Sequence, residues 1–150
     1  MTVEFVDTNV LVYAYDRSAG PKNLRAAALI DRLWSGNAGG TSIQVLQEFF
    51  VVTTRKIARP LRPDKARTII GDMGAWRLHR PSVEDVLGAI DIAERARISF
   101  WDGMIVRSAS TLGAAVIWSE DLQAAVKISG VRISDPFLDD RSLTGPGKLP

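Results

Sequence analysis

The chain has 150 residues, enough for one domain with a substantial core, and its hydrophobic share of 46% and charged share of 24% are ordinary for a globular protein. It contains no cysteine, which excludes disulfides, thiolate nucleophiles and cysteine-ligated zinc sites. The single histidine excludes catalysis by a histidine pair, and a net charge of +2 is too small to indicate a partner.

The sequence alternates between strand-like and helix-like segments. VEFV predicts a first strand ending at residue 6, and a helix over residues 8–16 follows it. GNAGG predicts a loop, and TSIQ a short strand end in which Thr41 and Gln44 have capping-box spacing. Further strands are predicted in WRLHRP, AAVIW and VRIS, and further helices at residues 22–35, 44–58, 63–73, after Ser82, 101–112 and near 121–128. This alternation predicts an α/β fold with a parallel sheet covered on both faces.

Two further predictions concern packing. Ser82 and Asp85 have capping-box spacing, and the helix they begin carries four apolar residues at core spacing, Val83, Val86, Leu87 and Ile90. The end of the chain, RSLTGPGKLP, is rich in Gly and Pro and has no periodicity. We therefore expect a single domain over residues 1–138 and a flexible tail over residues 139–150.

The opening residues and the lengths of the apolar runs bear on the cellular compartment of the protein. The start MTVEFVD lacks the basic and apolar regions of a secretory signal. No apolar run approaches the ~20 residues that a membrane helix needs. We therefore expect a cytoplasmic protein without a membrane partner.

Four acidic residues stand out by their positions. Asp7 ends the first strand, Asp121 follows AAVIW, Asp102 opens a helix and Glu48 lies in the first turns of another. Because ligands bind beyond the carboxyl ends of parallel strands, we expect these carboxylates to meet in one cleft. A hard cation such as Mg²⁺ or Mn²⁺ offsets the repulsion between them through oxygen ligands. The pattern favours metal-assisted chemistry on a phosphate group.

Each acid also has a purely structural interpretation. Asp102 lies three residues after a serine and fits a capping box, and Asp121 fits a helix N-cap. Glu120 is an acid equally available beside Asp121, so the identity of the fourth acid stays open. Glu48 lies at the edge of an apolar helical face, where surface glutamates are common. Asp7 is the hardest to explain in this way, because it directly follows the strand residues EFV.

Basic residues cluster between residues 55 and 67, with a single acid among them. This segment is either a solvated surface or a phosphate-binding stripe. Its members are Arg55, Lys56, Arg59, Arg62, Lys65 and Arg67, of which the first three are the RNA-binding candidates.

Two further side chains have competing interpretations. We expect His79 to be structural or at the surface. Trp101, beside Asp102, either stacks on a base or packs in the core or at its rim.

These motifs resemble those of the PIN-domain nucleases, and among them the small VapC-type toxins of toxin–antitoxin pairs. FVDTNVLVYAYD is similar to the family's opening motif, and SIQVLQEFFVV, ISFWDGMIV and VIWSEDLQ to its later acidic blocks. The resemblance covers residues 3–138. It implies a three-layer α/β/α fold with a mostly parallel central sheet and a Mg²⁺- or Mn²⁺-dependent endoribonuclease that cleaves RNA. It also implies a VapB-type antitoxin partner and a homodimer.

The resemblance also implies roles for individual residues. Asp7 and Asp102 would be the main metal ligands, Glu48 would bind metal or orient water, and Asp121 would complete the acidic ring. Supporting hydrogen bonds would come from Thr8 and from Ser119, where the family often has Thr. Gly103 departs from the family's usual Ala, at a small expected cost to the helix.

Other functions remain open at this point. One is a PIN-like RNA-processing nuclease without a toxin role, and another is a non-catalytic module that binds RNA or a protein partner. Phosphotransfer domains also place Asp at strand ends, but residue 9 is Asn, which breaks the Asp-x-Asp phosphatase signature. VIWSED also lacks the strand-end lysine of a receiver domain.

Overall fold

A computed structural model describes residues 2–122 and 126–145. The described residues form one six-stranded sheet in the order β3–β2–β1–β4–β6–β5. All neighbouring pairs are parallel except β5 and β6. The strand order reverses between β1 and β4 near the centre of the sheet. The strands are β1 Val3–Val6, β2 Gly39–Ser42, β3 Arg77–His79, β4 Ala114–Trp118, β5 Lys127–Ile128 and β6 Val131–Ser134.

Helices flank this sheet and bury its apolar faces. They are α1 Thr8–Tyr15, α2 Pro21–Gly36, α3 Ile43–Arg55, α4 Pro63–Met73, α5 Val83–Ala96, α6 Phe100–Thr111 and α7 Arg141–Thr144. The predicted α/β class with a mostly parallel central sheet is confirmed. Proline occupies the first position of α2 and of α4, where its missing N–H costs no helical hydrogen bond. The largest buried side chains include Phe5, Phe49 and Trp118. Within the described residues, no helix combines the length and apolarity needed to cross a membrane.

The start of β2 differs from its prediction. Gly39 and Gly40, expected in a loop, pair with β1 and β3. A Cβ on Gly39 would lie 2.5 Å from the Trp76 ring, so glycine is required by packing here. The following cap also differs, because Ser42, and not Thr41, accepts a hydrogen bond from the backbone N–H of Val45. Thr41 instead donates to the Val6 carbonyl of the neighbouring strand at 3.1 Å.

The capping box of α5 is confirmed, but its predicted core face is wrong. Val83, Val86, Leu87 and Ile90 are exposed, with 72%, 37%, 56% and 41% of their surface accessible. The buried face is instead the one that carries Ala89 and Ile92 and packs on α6. The two helices approach so closely that a Cβ on Gly103 would lie 2.6 Å from the Ala89 carbonyl oxygen. The close approach of the two helices therefore determines which face turns inward, and the four larger apolar residues named above face outward.

A buried polar cluster links the start of α5 to β3 and α6. His79 is only 6% exposed, and its ring nitrogens contact the Ser108 hydroxyl at 2.8 Å and the Asp85 carboxylate at 3.1 Å. The Arg107 guanidinium donates to the other Asp85 oxygen at 2.9 Å. These contacts explain His79 as a structural residue, as expected.

The C-terminal region contains two further differences. Residues 127–128, expected in a short helix, form β5, and residues 123–125 of that predicted helix lie outside the described residues. Part of the expected flexible tail forms α7, which packs on α2 with Ser142 fully buried. Arg32 of α2 fixes this turn by donating to the Ser142 carbonyl at 2.8 Å. Residues 146–150 lie outside the described residues, and the domain boundary at residue 138 stays a prediction.

Candidate active site

The site begins where β1 and β4 end side by side. Val6 pairs with Trp118, and the backbone N–H of Asp7 donates to the Trp118 carbonyl at 3.0 Å. The next residue on each strand is therefore held at the same edge of the sheet, beside the reversal of strand order. Asp7 caps α1 by accepting a hydrogen bond from Thr8 N–H at 2.7 Å. Its other oxygen accepts from the buried Ser119 hydroxyl at 2.7 Å.

A cavity of about 640 Å³ opens at this edge, and all four predicted acids line it. Asp7 is buried at its base, while Glu48 on α3 and Asp102 in the first turn of α6 are half-buried. Asp121 is exposed just beyond β4. The structure therefore brings together the carboxylates that the sequence separates by up to 114 positions (121 minus 7).

Burial and mutual repulsion perturb two of these carboxyl groups. Burial raises the pKa of Asp7 to about 6, against the opposing effects of the Ser119 and Thr8 hydrogen bonds, and the charges of Glu48 and Asp102 raise it further. The pKa of Asp102 is also raised, chiefly by burial and then by the charges of Asp121 and Glu48, although a Ser99 hydrogen bond lowers it. Such coupling between carboxyl groups is typical of a functional site.

Hydrogen bonds from neighbouring side chains fix the orientation of two of the acids, Asp7 and Glu48. The Thr8 hydroxyl donates to Glu48 Oε2 at 2.6 Å, and Ser119 donates to Asp7, so both expected supporting contacts are present. Gln44, which the sequence analysis did not single out as a site residue, donates its amide to Glu48 Oε1 at 3.1 Å and to the Trp101 carbonyl at 3.4 Å. Its position one helical turn before Glu48 is the signal that would have identified it.

Asn9 is a second residue that the site prediction missed. Its side-chain oxygen accepts from Glu120 N–H at 3.1 Å, and its amide contacts the Ser119 hydroxyl at 3.5 Å. It therefore ties the segment after β4 to α1. Its place in the D-T-N triplet, two residues after Asp7, is the available signal.

The geometry separates the two candidates for the fourth acid. Glu120 forms an ion pair with Lys22 and accepts a hydrogen bond from the Tyr13 hydroxyl at 3.2 Å. Asp121 lines the cavity and acts electrostatically on Asp102. Asp121 therefore lines the cavity together with the other three acids, whereas the Glu120 carboxylate is engaged by Lys22 and Tyr13.

The three basic candidates lie at the surface of the protein. Arg55, Lys56 and Arg59 are all exposed, and of these three Lys56 lines the cavity. Arg62 pairs with Asp64 at 3.1 Å on the exposed surface.

The donor set has the chemistry that a hard divalent cation requires. All four acids offer oxygen ligands, and no ion pair within residues 2–122 and 126–145 involves any of them. A further oxygen, Gln44 Oε1, is buried without a hydrogen-bond partner among the described residues. In the same part of the chain, no three acidic or histidine side chains lie close enough, as placed, to share one metal ion. The residues present therefore fit a cation by charge and ligand type, and closer approach of the carboxylates would be needed to coordinate it.

Comparison with known families identifies the fold around this cavity. The family model of the PIN domain matches residues 5–127, which include all four acids. The chain belongs to the PIN-domain family. The matched range begins within β1 and ends within β5, so the PIN domain contains the whole cavity described above. No curated protein matches this PIN-domain chain.

Solved structures share the fold of this PIN domain at low sequence identity. VapC20 of Mycobacterium tuberculosis, a toxin that cleaves the sarcin-ricin loop, is 21% identical, with a TM-score of 0.64 over 86% of this chain and 98% of its own. DNA-bound VapBC of Salmonella typhimurium is 20% identical, with a TM-score of 0.62 over 91% and 99%. VapBC2 of Rickettsia felis, bound to a promoter DNA fragment, is 13% identical, with a TM-score of 0.61 over 89% and 98%.

Proposed function

We propose that this PIN-domain protein is a Mg²⁺- or Mn²⁺-dependent endoribonuclease and the toxin of a toxin–antitoxin pair. The observation that carries the proposal is the cavity at the strand-order reversal, which four carboxylates line without a cationic partner among the described residues. Its family and its fold likeness to VapC20 support RNA as the substrate.

The chain's own residues divide the work of hydrolysis. Asp7 and Asp102 would hold the cation, and Asp121 would complete the ligand set. Glu48, which accepts hydrogen bonds from Thr8 and Gln44, would bind the metal or orient the attacking water. A bound divalent ion would activate water and stabilise the negative charge that develops on the phosphate. Ser119 keeps the buried Asp7 carboxylate in one orientation.

Cleavage of RNA by purified protein tests the chemistry. EDTA should stop cleavage and excess Mn²⁺ should restore it. Asp7→Asn should abolish hydrolysis and weaken Mn²⁺ binding in a titration. The matched control is Asp91→Asn, which removes an exposed acid of α5 and should leave cleavage unchanged. Chelator-resistant cleavage, or full activity of Asp7→Asn, would refute the metal-carboxylate site.

The choice between the two neighbouring acids has its own test. Asp121→Asn should weaken Mn²⁺ binding directly, because Asp121 lines the cavity. Glu120→Gln removes only the charge that pairs with Lys22, so it should retain most of the Mn²⁺ affinity. The reverse order of effects would make Glu120 the fourth ligand.

The toxin role is tested in cells by mapping RNA 5′ ends after brief induction. The parent chain should arrest growth and create new 5′-phosphate ends, and Asp7→Asn should do neither. Ends without growth arrest would favour an RNA-processing nuclease. The absence of both, in a chain that binds Mn²⁺ and RNA, would favour a non-catalytic binding module.

RNA contact at the basic residues forms part of the same proposal. Lys56 at the cavity wall, with Arg55 and Arg59 nearby in sequence, is suited to hold the phosphates that flank the cleaved bond. Replacing all three with Gln should weaken RNA binding and reduce the slope of log affinity against log salt by about 2, at ~0.7 per phosphate contact with a single strand. An unaltered slope would assign these charges to solvent or to a protein partner.

Two protein partners are also proposed. The VapBC structures support a VapB-type antitoxin, which co-purification with the product of an adjacent gene would test. The exposed apolar residues of α5 support a homodimer, since a two-fold axis pairs such a stripe with itself. Leu87→Glu should shift the mass in light scattering from dimer to monomer. Leu24→Glu, at a comparably exposed position on α2, is the control. A cytoplasmic location stays a prediction.

A further inference from the structure

Trp101 is an exposed aromatic side chain beside the acidic residues. It is 64% exposed and lines the same cavity as Asp102, its neighbour in the first turn of α6. The other tryptophans are less accessible to a ligand. Trp118 and Trp76 are buried, and Trp34 packs edge-on against Trp76. The exposure of Trp101 excludes its packing in the core, whereas packing at the rim, against Phe100, is compatible with it.

The surroundings of Trp101 fix its position relative to the carboxylates. Its ring lies edge-on to Phe100, with centroids 5.0 Å apart. Its carbonyl accepts the Gln44 amide, which also donates to Glu48. Both partners of this amide are acceptors, so the nitrogen must face them. The Gln44 side chain thus links the backbone of Trp101 to the Glu48 carboxylate.

We propose that Trp101 is the nucleobase-binding residue of this cavity and stacks on an unpaired base of the RNA next to the cleaved phosphate. This inference rests on the proposed function, because it places the phosphate at the carboxylates. An indole face offers stacking to any base, whereas a polar side chain would be needed to read base identity. The subsite therefore selects single-stranded RNA over duplex, in which both base faces are already stacked.

Two side chains that line the cavity suit different parts of one polynucleotide. Trp101 offers an aromatic surface at one position, and Lys56 offers a cation at another. The carboxylates repel phosphates unless a cation is bound, so an uncharged contact such as stacking adds affinity where charge cannot. Loss of one stacked base should lower RNA affinity about 5- to 150-fold, from ~1–3 kcal/mol per base.

The test uses the full chain with Asp7→Asn, so that the RNA remains intact, in buffer with Mg²⁺. A random-sequence single-stranded 12-mer RNA should quench tryptophan fluorescence. Trp101→Phe should abolish most of this quenching while keeping the affinity measured by anisotropy, because phenylalanine retains a stacking ring. Trp101→Ala should lose 5- to 150-fold in affinity. Trp34→Phe is the control and should keep both quenching and affinity.

A 12-base-pair RNA duplex separates base contact from backbone contact. It carries the same phosphates, and it should quench Trp101 far less than the single strand. Equal affinities of Trp101→Ala and Trp101→Phe for the single strand, or equal quenching by duplex and single strand, would overturn the proposal. Failure to bind any RNA would overturn it as well. Metal-dependent cleavage by the parent chain is measured separately, so the subsite can fail while the proposed hydrolysis stands.

Discussion

Asp7→Asn should abolish metal-dependent activity. In the absence of metal it should also increase the stability of the folded protein at neutral pH. The Asp7 carboxyl has a pKa of about 6 in the folded chain, against an ordinary value of 3.8. At 1.36 kcal/mol per pKa unit, this difference corresponds to about 3 kcal/mol of folding free energy. The folded state holds the proton more tightly, so the stabilisation is fully present below pH 3.8 and is lost as the pH rises through 6.

Asparagine is uncharged at every pH and therefore avoids this loss. Weaker hydrogen bonding to Ser119 offsets part of the gain, by up to about 1 kcal/mol. We expect Asp7→Asn to raise the free energy of unfolding by about 2–3 kcal/mol at pH 7.5. Below pH 4 the difference should vanish. Urea unfolding in EDTA, followed by circular dichroism at both pH values, measures it.

A second aspartate supplies a control of opposite sign. Hydrogen bonds from Arg141, and then from Ser134, hold the pKa of Asp139 well below its usual range. Asp139→Asn should therefore destabilise the protein at neutral pH, and the loss should shrink as acid protonates the native carboxylate. If Asp7→Asn were less stable than the parent at pH 7.5 in EDTA, the burial of an uncompensated carboxylate at this site would be refuted.

Three further substitutions test the packing and the charges. Gly103→Ala puts a methyl group 2.6 Å from the Ala89 carbonyl oxygen of α5 and should lower the free energy of unfolding by about 1–3 kcal/mol in thermal unfolding, although helix propensity alone predicts a small gain. Arg32→Met removes the two guanidinium hydrogen bonds, of 2.8 and 2.9 Å, that the buried Glu4 accepts. It should lower the free energy of unfolding, measured in urea, by about 3–5 kcal/mol, and adding Glu4→Gln should restore part of this loss. Lys56→Gln should weaken RNA binding more than Lys65→Gln, since Lys56 lines the cavity and Lys65 does not.

The sequence predicted the cavity well because its parts follow from local patterns. Strand ends could be read from apolar runs, and parallel strands place their carboxyl ends at one edge. This reasoning located Asp7 and Asp121 relative to the sheet, and helix starts located Glu48 and Asp102. It did not single out Asn9 or Gln44, because the contacts of Asn9 with Glu120 and of Gln44 with the Trp101 carbonyl join different elements. Their contacts depend on how α1, α3 and the loop after β4 pack together.

The errors in the predicted packing have a common physical cause. In α5 the larger apolar residues were expected in the core, but the inward face is chosen by close approach to α6, which only small residues allow. In β2 two glycines suggested a loop, yet Trp76 occupies the space that a side chain would take. In both places a distant neighbour decides the outcome. Periodicity and turn propensity describe the segment alone and cannot report that neighbour.

Helix capping by Asp7 is compatible with the proposed role of this residue in metal binding. One carboxylate oxygen accepts the N–H of Thr8 and so begins α1, while the other accepts the Ser119 hydroxyl beside the cavity. The cap fixes the side chain at the place where the strand ends, and that place is the edge where the other acids converge. In α6 the tasks are divided, since Ser99 caps the helix through the backbone N–H of Asp102 and leaves the Asp102 carboxylate to line the cavity. Helix capping therefore positions the acids of this site, and a variant that weakens a cap without removing an acid should still impair metal binding.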